Sequence, residues 1–577
     1  MKRQPFHKHA IRRFCLLFAF TGVAIIGSAQ SGFDLSAGQV HGDVEVIMQQ
    51  YNQDSLIRAA VPDASTAMNA FGNIIYTNGP VTAGLRFESY LNRLEGYPDR
   101  FKGTGLGYRY VSFKQDIYQV TVGNFYEQFG MGSILRIWEQ RQLGVDNALD
   151  GVLVKANPWK GIYIKGLYGK QRVDFQDRLI NGDGLVRGVD GSVSINELFD
   201  SLNYTPWRLS FGASFVSKYQ PDDDAVLNLP ENVGAWAYRM NYLHGNFGLQ
   251  AEYAYKINDP SNDNNYIYKP GQSLMLNARY STKGFGIVLD YKYSDNMSFR
   301  SDRADLLTNA TIGFMPALTR PHTYNLAATL YPYNVQWSET AFQANISYLI
   351  PRKSVLGGKY GTQITLNYAV AHGLDTTLLN DVSTDPGAER MGYTSKFGIF
   401  GPNKYYQDFN VEIKRKFNEH WKATIMYLNI VYNNDINQGA YNNDGQAPKG
   451  IINANIAVLD VAYKFKRKHN IRMELQGLWT GRDKSGELQH QGHWVTGLIE
   501  YTYSPHWFVA ILDQYNFGNP DPVYRLHYLL GSVGYIQGSS RISLSYGRQR
   551  EGLFCVGGVC RTVPASNGFT LTFNTTF

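Results

Sequence analysis

Residues 123–151, GNFYEQFGMGSILRIWEQRQLGVDNALDG, gather Arg136, Glu139, Arg141, Asp146 and Asn147 among glycines and aromatic rings. The segment follows an alternating run, YQVTVGNF, and then loses period two. Guanidinium and carboxylate groups in such proximity form charge-assisted, often bidentate hydrogen bonds. Phe129, Ile134, Leu135, Trp138 and Leu143 supply apolar anchors beside them. Two jobs suit residues 126–149: an inward constriction that selects solutes by charge, and a structural plug held by salt bridges. Both readings stand open at the level of sequence.

Other reactive constellations are missing. There is no GxSxG elbow, Walker loop, HExxH or CxxC pair. His244, His322 and His493 occur singly, which suits turn or interfacial residues better than a catalyst. Asp222, Asp223 and Asp224, Asn262 to Asn265, and Asn442, Asn443, Asp444 and Gly445 offer oxygen ligands without the spacing of a calcium loop. Solvated turn composition explains them more simply. The expectation is a non-enzyme with no cofactor and no metal. Cys555 and Cys560 flank Val556, Gly557, Gly558 and Val559. Two thiols with no nearby His or third Cys make a poor zinc site, so a disulfide closing a loop at the tip of the last hairpin is expected.

Elements that would position these groups are strands. The chain ends FTLTFNTTF, placing Phe569, Leu571, Phe573, Thr575 and Phe577 on one face and Thr570, Thr572, Asn574 and Thr576 on the other. Apolar against small polar at period two suits hydrocarbon on one side and a watery lumen on the other. The ending resembles the assembly signal of bacterial outer-membrane β-barrels, in which a terminal Phe engages the barrel-assembly machinery; an ordinary soluble strand is the alternative. The same alternation recurs upstream. Phe247, Leu249, Ala251, Tyr253, Tyr255 and Ile257 oppose Gln250, Glu252, Ala254 and Lys256, and Ile471, Met473 and Leu475 oppose Arg472, Glu474 and Gln476. In a soluble sandwich the charged face would be outside, whereas in a barrel it lines the lumen. The barrel reading makes Arg239, Glu252, Arg279, Lys292, Glu412, Arg472 and Glu474 lumen-lining.

Composition fits that class. The 577 residues include 41 Tyr and 31 Phe against 11 Met. Beyond the N-terminus no apolar run approaches the ~18 residues of a membrane helix. Lys2, Arg3, Lys8, Arg12 and Arg13 precede an apolar stretch from Phe14 to Ile26 and a small-residue site before Gln30, so residues 1–29 read as a signal peptide. Cys15 opens that apolar stretch, the wrong end for a lipid anchor. Removing the leader's five cations lowers the formal charge from +7 to +2, so the basic pI says nothing about nucleic acid. Strand-like pattern begins near Val40, leaving no room for the folded plug of a TonB-dependent transporter.

Short turns such as Asn78, Gly79 and Pro80 alternate with long stretches at 52–65, 127–148, 374–402 and 434–451. That asymmetry is expected of outer-membrane barrels. Counting back from Phe577 gives roughly 24–26 strands, 26 when weak segments at Gly184–Ile195 and Asn309–Ala317 are included to keep the number even. The segments AEYAYKIND, LTRPHTYNLAATLYPY, VLGGKYGT and GLFCVGGVCR, with residues 123–151, resemble a family of predicted porin-like outer-membrane β-barrels of the Bacteroidota. That resemblance covers nearly all of residues 30–577. It implies location and fold and brings no reaction or substrate. The expectations are an all-β transmembrane barrel in contact with outer-membrane lipid, passing small hydrophilic solutes, or else a non-transporting subunit bound to other envelope-complex proteins.

Overall fold

The computed structural model describes residues 38–306, 308–380, 388–438, 450–481, 491–556 and 559–577. The expected leader with Cys15, the Asn442–Gly445 cluster and the Gly557–Gly558 pair lie outside them. Strands form where the alternation is clearest, and successive strands pair antiparallel. Asn232–His244 returns as Phe247–Lys256 through a two-residue turn in which Gly245 takes φ +54°. Gly271–Thr282 and Phe285–Asp295 continue the ladder. The final strand Ser566–Thr576 pairs with Ser540–Gln549 on one side and with the first strand Gln39–Asn52 on the other, from Asp43↔Thr576 to Asn52↔Asn567. Val40–Phe577 is thereby a closed 24-stranded antiparallel barrel with no free edge.

The expected inversion of faces is present. Tyr238, Ile499, Ile511, Leu544 and Phe569 are exposed on the outside, while Glu252, Asn410 and Gln476 of opposite parity are buried within. Phe569 packs its ring 4.5 Å from that of Tyr546, its cross-strand partner on Ser540–Gln549. One rim carries connections as short as 79–80, 160–161, 245–246 and 538–539, with 195–206 and 351–361 as longer members. Longer connections at 53–65, 126–148, 296–338 and 550–565 lie on the other. In barrels of this type the short-turn rim is periplasmic.

Two expectations need correction, and one weak segment holds. The count of 24 strands falls within the expected 24–26, but residues 309–317 form no strand of the wall: they belong to the connection 296–338 inside the lumen. Gly184–Ile195 does lie largely in a strand, Leu179–Ser194. The expected loop 374–402 is strand at both ends, where Thr362–Leu378 and Tyr393–Lys416 extend into it.

One irregularity of the wall decides the interior. Strand Tyr118–Phe125 has only eight residues, and beyond its end and the start of Leu149–Trp159 the residues Phe101 and Lys102 pair directly, in parallel, with Phe175 and Gln176. The connection 126–148 therefore departs below the rim, under a closed stretch of wall. Phe71, Tyr90, Tyr97, Phe101 and Phe175 form a buried aromatic cluster at this closure.

Candidate functional site: the filled lumen and its charged passage

Three segments converge inside the barrel. Residues 126–148 are seated through Glu252, whose carboxylate accepts from the Met131 N–H at 2.7 Å and the Ser133 hydroxyl at 2.6 Å. Gly130, at φ +52°, makes this approach possible, since a Cβ there would collide with the Glu252 carboxylate. Phe129, Ile134 and Leu135 pack on Leu153, Leu167, Val216, Ala235 and Ala237 of the inner wall.

The second segment, 296–338, begins on that same side. Arg136 N–H donates to the Ile312 carbonyl at 2.7 Å, Phe314 N–H to the Gly132 carbonyl at 3.1 Å, and Asn147 Nδ2 to the Thr311 carbonyl at 2.8 Å. It ends on another sector, where the short helix Asn325–Leu330 lays Leu326, Ala327 and Leu330 among Met426, Leu428, Ile430, Ile456 and Trp494. The segment is a strap joining two dry clusters on separate parts of the wall.

The third is the small hairpin Gly552–Val556 and Val559–Val563, in which Cys555 and Cys560 are paired at disulfide distance with Cα atoms 4.1 Å apart. Arg561 Nε donates to the Gln142 carbonyl at 2.8 Å and Arg550 Nη2 to the Thr329 carbonyl at 2.7 Å. Val559 shares an apolar cluster with Leu143, Val145 and Phe314. The hairpin thus touches both of the other inward segments.

Of the five polar loop residues read from sequence, Glu139, Arg141 and Asp146 meet in one network. Arg86 contacts Glu88 at 2.8 Å, Glu139 at 2.9 Å and Asp146. Arg172 bridges Glu88 and Asp146 at 2.7 Å each. Arg141 pairs with Glu139 at 2.7 Å and reaches Glu45 of the first strand at 3.2 Å. Burial, reinforced by Asp146, raises the Glu139 carboxyl above its ordinary range despite Arg86 and Arg141. Arg136 stands apart: its guanidinium lies over the rings of Trp138 and Phe314, 5.8 and 5.5 Å from their centroids, and burial lowers its pKa. Asn147 fastens the strap rather than joining the ion pairs.

The seven lumen residues are distributed around the wall. Arg239 pairs with Asp190 at 2.6 Å, Glu252 holds the first loop, and Lys292 pairs with Glu339 while donating to the Pro316 carbonyl at 2.9 Å. Glu412 meets Arg320 of the strap at 3.0 Å and Lys414 at 2.8 Å. Arg472 bridges Asp460 at 3.0 Å and Glu474. Arg279 is exposed and joins no ion pair among the described residues. Sequence reading missed Arg86, Glu88 and Arg172, single charges on alternating strands that look like any other lumen residue. It also missed the strap.

Solvent reaches these charges unequally. Side chains of Arg86, Glu88, Arg172 and Lys218 are at most 3% accessible, whereas Arg141 is 23%, Glu45 27%, Arg472 32% and Lys414 46% accessible. Accessible and sealed charges occur on the same strands, since Lys165 is 31% accessible while Arg172 of the same strand is sealed, so the lumen is wet in places and packed dry beneath the first loop and the strap helix. Among the described residues no three His, Cys, Asp or Glu side chains are grouped to hold a metal ion, and no helix is long and apolar enough to cross a membrane.

Known structures of similar form are bacterial barrels. The chain aligns with a mutant of the ferric enterobactin receptor of Pseudomonas aeruginosa at 9% identity and a TM-score of 0.40, over 93% of this chain and 80% of that one. It aligns with the P pilus usher translocation pore at 8% and 0.38, over 93% and 99%. OccAB3 of Acinetobacter baumannii gives 10% and 0.33, over 94% and 99%. Likeness at this level brings no solute or partner with it. No curated protein sequence matches the chain significantly. The family of unknown function DUF6029 matches residues 8–577, and the chain belongs to that family.

Proposed function

We propose that the protein is an outer-membrane channel that passes small hydrophilic solutes by diffusion through its charge-lined lumen. The carrying observation is that charged side chains facing the lumen keep water beside the packed segments, with Arg141 23%, Glu45 27% and Arg472 32% accessible. Arg141 of the inward loop, paired with Glu139, closes on Glu45 of the wall at 3.2 Å, so this ion-paired contact would bound the opening and set solute size and charge beside it. Insertion through the barrel-assembly machinery, with Phe577 fastened to Gly42 by paired backbone hydrogen bonds of 2.9 and 3.0 Å, belongs to the same reading. Purified protein in a planar bilayer is expected to give discrete conductance steps. Arg141→Ala should enlarge them and shift selectivity toward cations; a silent bilayer with correctly folded protein would contradict the proposal.

The strap favours a second reading. Its two dry anchorages fill part of the lumen with packed protein, as suits a non-transporting subunit of an envelope complex. Stoichiometric co-purification of other envelope proteins, with no conductance from the isolated barrel, would support that reading.

A further inference from the structure

Four lysines gather at the short-turn mouth. Strand Tyr393–Lys416 turns through 417–420 into Trp421–Asn433, which pairs with Ile451–Lys466. Facing follows from parity. Glu412 meets the strap, Met426 and Leu428 pack against it, and Asp460 pairs with the inward Arg472. Lys414, Lys416, Lys422 and Lys464 share those parities, so they point into the lumen rather than toward lipid. Their outward neighbours are apolar: Trp421 and Tyr463 stack with centroids 4.2 Å apart, and Ile413 and Ile425 are exposed on the lipid face.

Lys416 and Lys422 are direct cross-strand partners. Like charges opposite one another in a ladder are unfavourable, and no ion pair among the described residues relieves Lys416, Lys422 or Lys464. The nearby Glu412 is already shared between Arg320 and Lys414, and Glu419 is exposed in the turn. Lys416 Nζ lies 4.6 Å over the ring of Tyr360, which holds it in place without neutralising it. All four lysines are exposed to water. A mouth of this kind concentrates counter-ions within about a Debye length, ~8 Å at physiological ionic strength.

We propose that these lysines form a binding site for small multivalent anions, phosphorylated or polycarboxylate solutes, at the periplasmic mouth. This names the solute class of the channel and rests on that reading. Because the lysines face inward, phospholipid headgroups around the barrel do not satisfy them.

The test uses the full barrel in detergent and in planar bilayers, with inorganic tripolyphosphate as the probe and the double variant Lys416→Gln/Lys422→Gln beside wild type. Lys165→Gln serves as a control elsewhere in the lumen, and gel heat-modifiability verifies folding. Calorimetric titration is expected to show tripolyphosphate binding that weakens about tenfold or more in the double variant and not in the control. Reversal potentials in a potassium chloride gradient should show anion preference in wild type and a loss of it in the double variant. A conducting but cation-selective channel, or tripolyphosphate affinity unchanged by the double variant, would overturn the anion site and leave the channel reading intact. A silent bilayer with lysine-dependent binding would do the reverse.

Discussion

At the scale of single residues, the interior is organised by two guanidinium groups holding two carboxylates out of water. Arg86 and Arg172 both contact Glu88 and Asp146, each of the four being nearly inaccessible. Such a pairing gains little over apolar packing, but removing one partner leaves an uncompensated buried charge. Glu88→Ala should therefore destabilise the barrel by about 3–5 kcal/mol, read as a lower midpoint in denaturant. Replacing Glu88 and Arg172 together by Leu and Met should cost less than that single change. A near-neutral Glu88→Ala would show that the network is not buried as described. In sequence, the loop members Glu139, Arg141 and Asp146 stood out because they break an alternating pattern. Their strand partners did not, since a lone charge facing the lumen is what alternation already predicts.

At the scale of elements, the strap is the piece that period-two counting mistook. Asn309–Ala317 has the composition of a weak strand, and a strand there kept the count even. It forms no wall because Ile312 and Phe314 are engaged with the first inward loop. A signal for the strap was nonetheless present on its docking wall. Residues 425–432, IMYLNIVY, are apolar on both faces, and a strand between lipid and water has no reason to be. Met426, Leu428 and Ile430 are inward and fully packed. Leu326→Asp would place an unpaired carboxylate in that cluster and unseat the helix while leaving the wall ladders untouched. Larger unit conductance from a normally folded barrel is expected; conductance identical to wild type would mean that the strap does not limit the passage.

At the scale of the whole molecule, strand number sets what the interior must do. With strands ~4.8 Å apart and tilted ~40°, a closed sheet of 24 strands is about 45–50 Å across between backbones. One loop cannot fill such a cylinder, which accounts for three inward segments where the sequence suggested a single constriction. Fold class, the facing of the outer wall and the short-turn rim were legible because each is written in local alternation. The inward packing was not, because it joins residues far apart in the chain, such as Arg136 with Ile312 and Gln142 with Arg561. The functional reading depends on one property, that water reaches the lumen at Glu45 and Arg141 beside a wall sealed by the first inward loop. Labelling single cysteines with a charged, membrane-impermeant thiol reagent measures it directly. Glu45→Cys should react quickly and Ala237→Cys, packed beneath the first inward loop, should be strongly protected in the folded barrel. Equal protection at both positions would mean a closed lumen and would contradict the account.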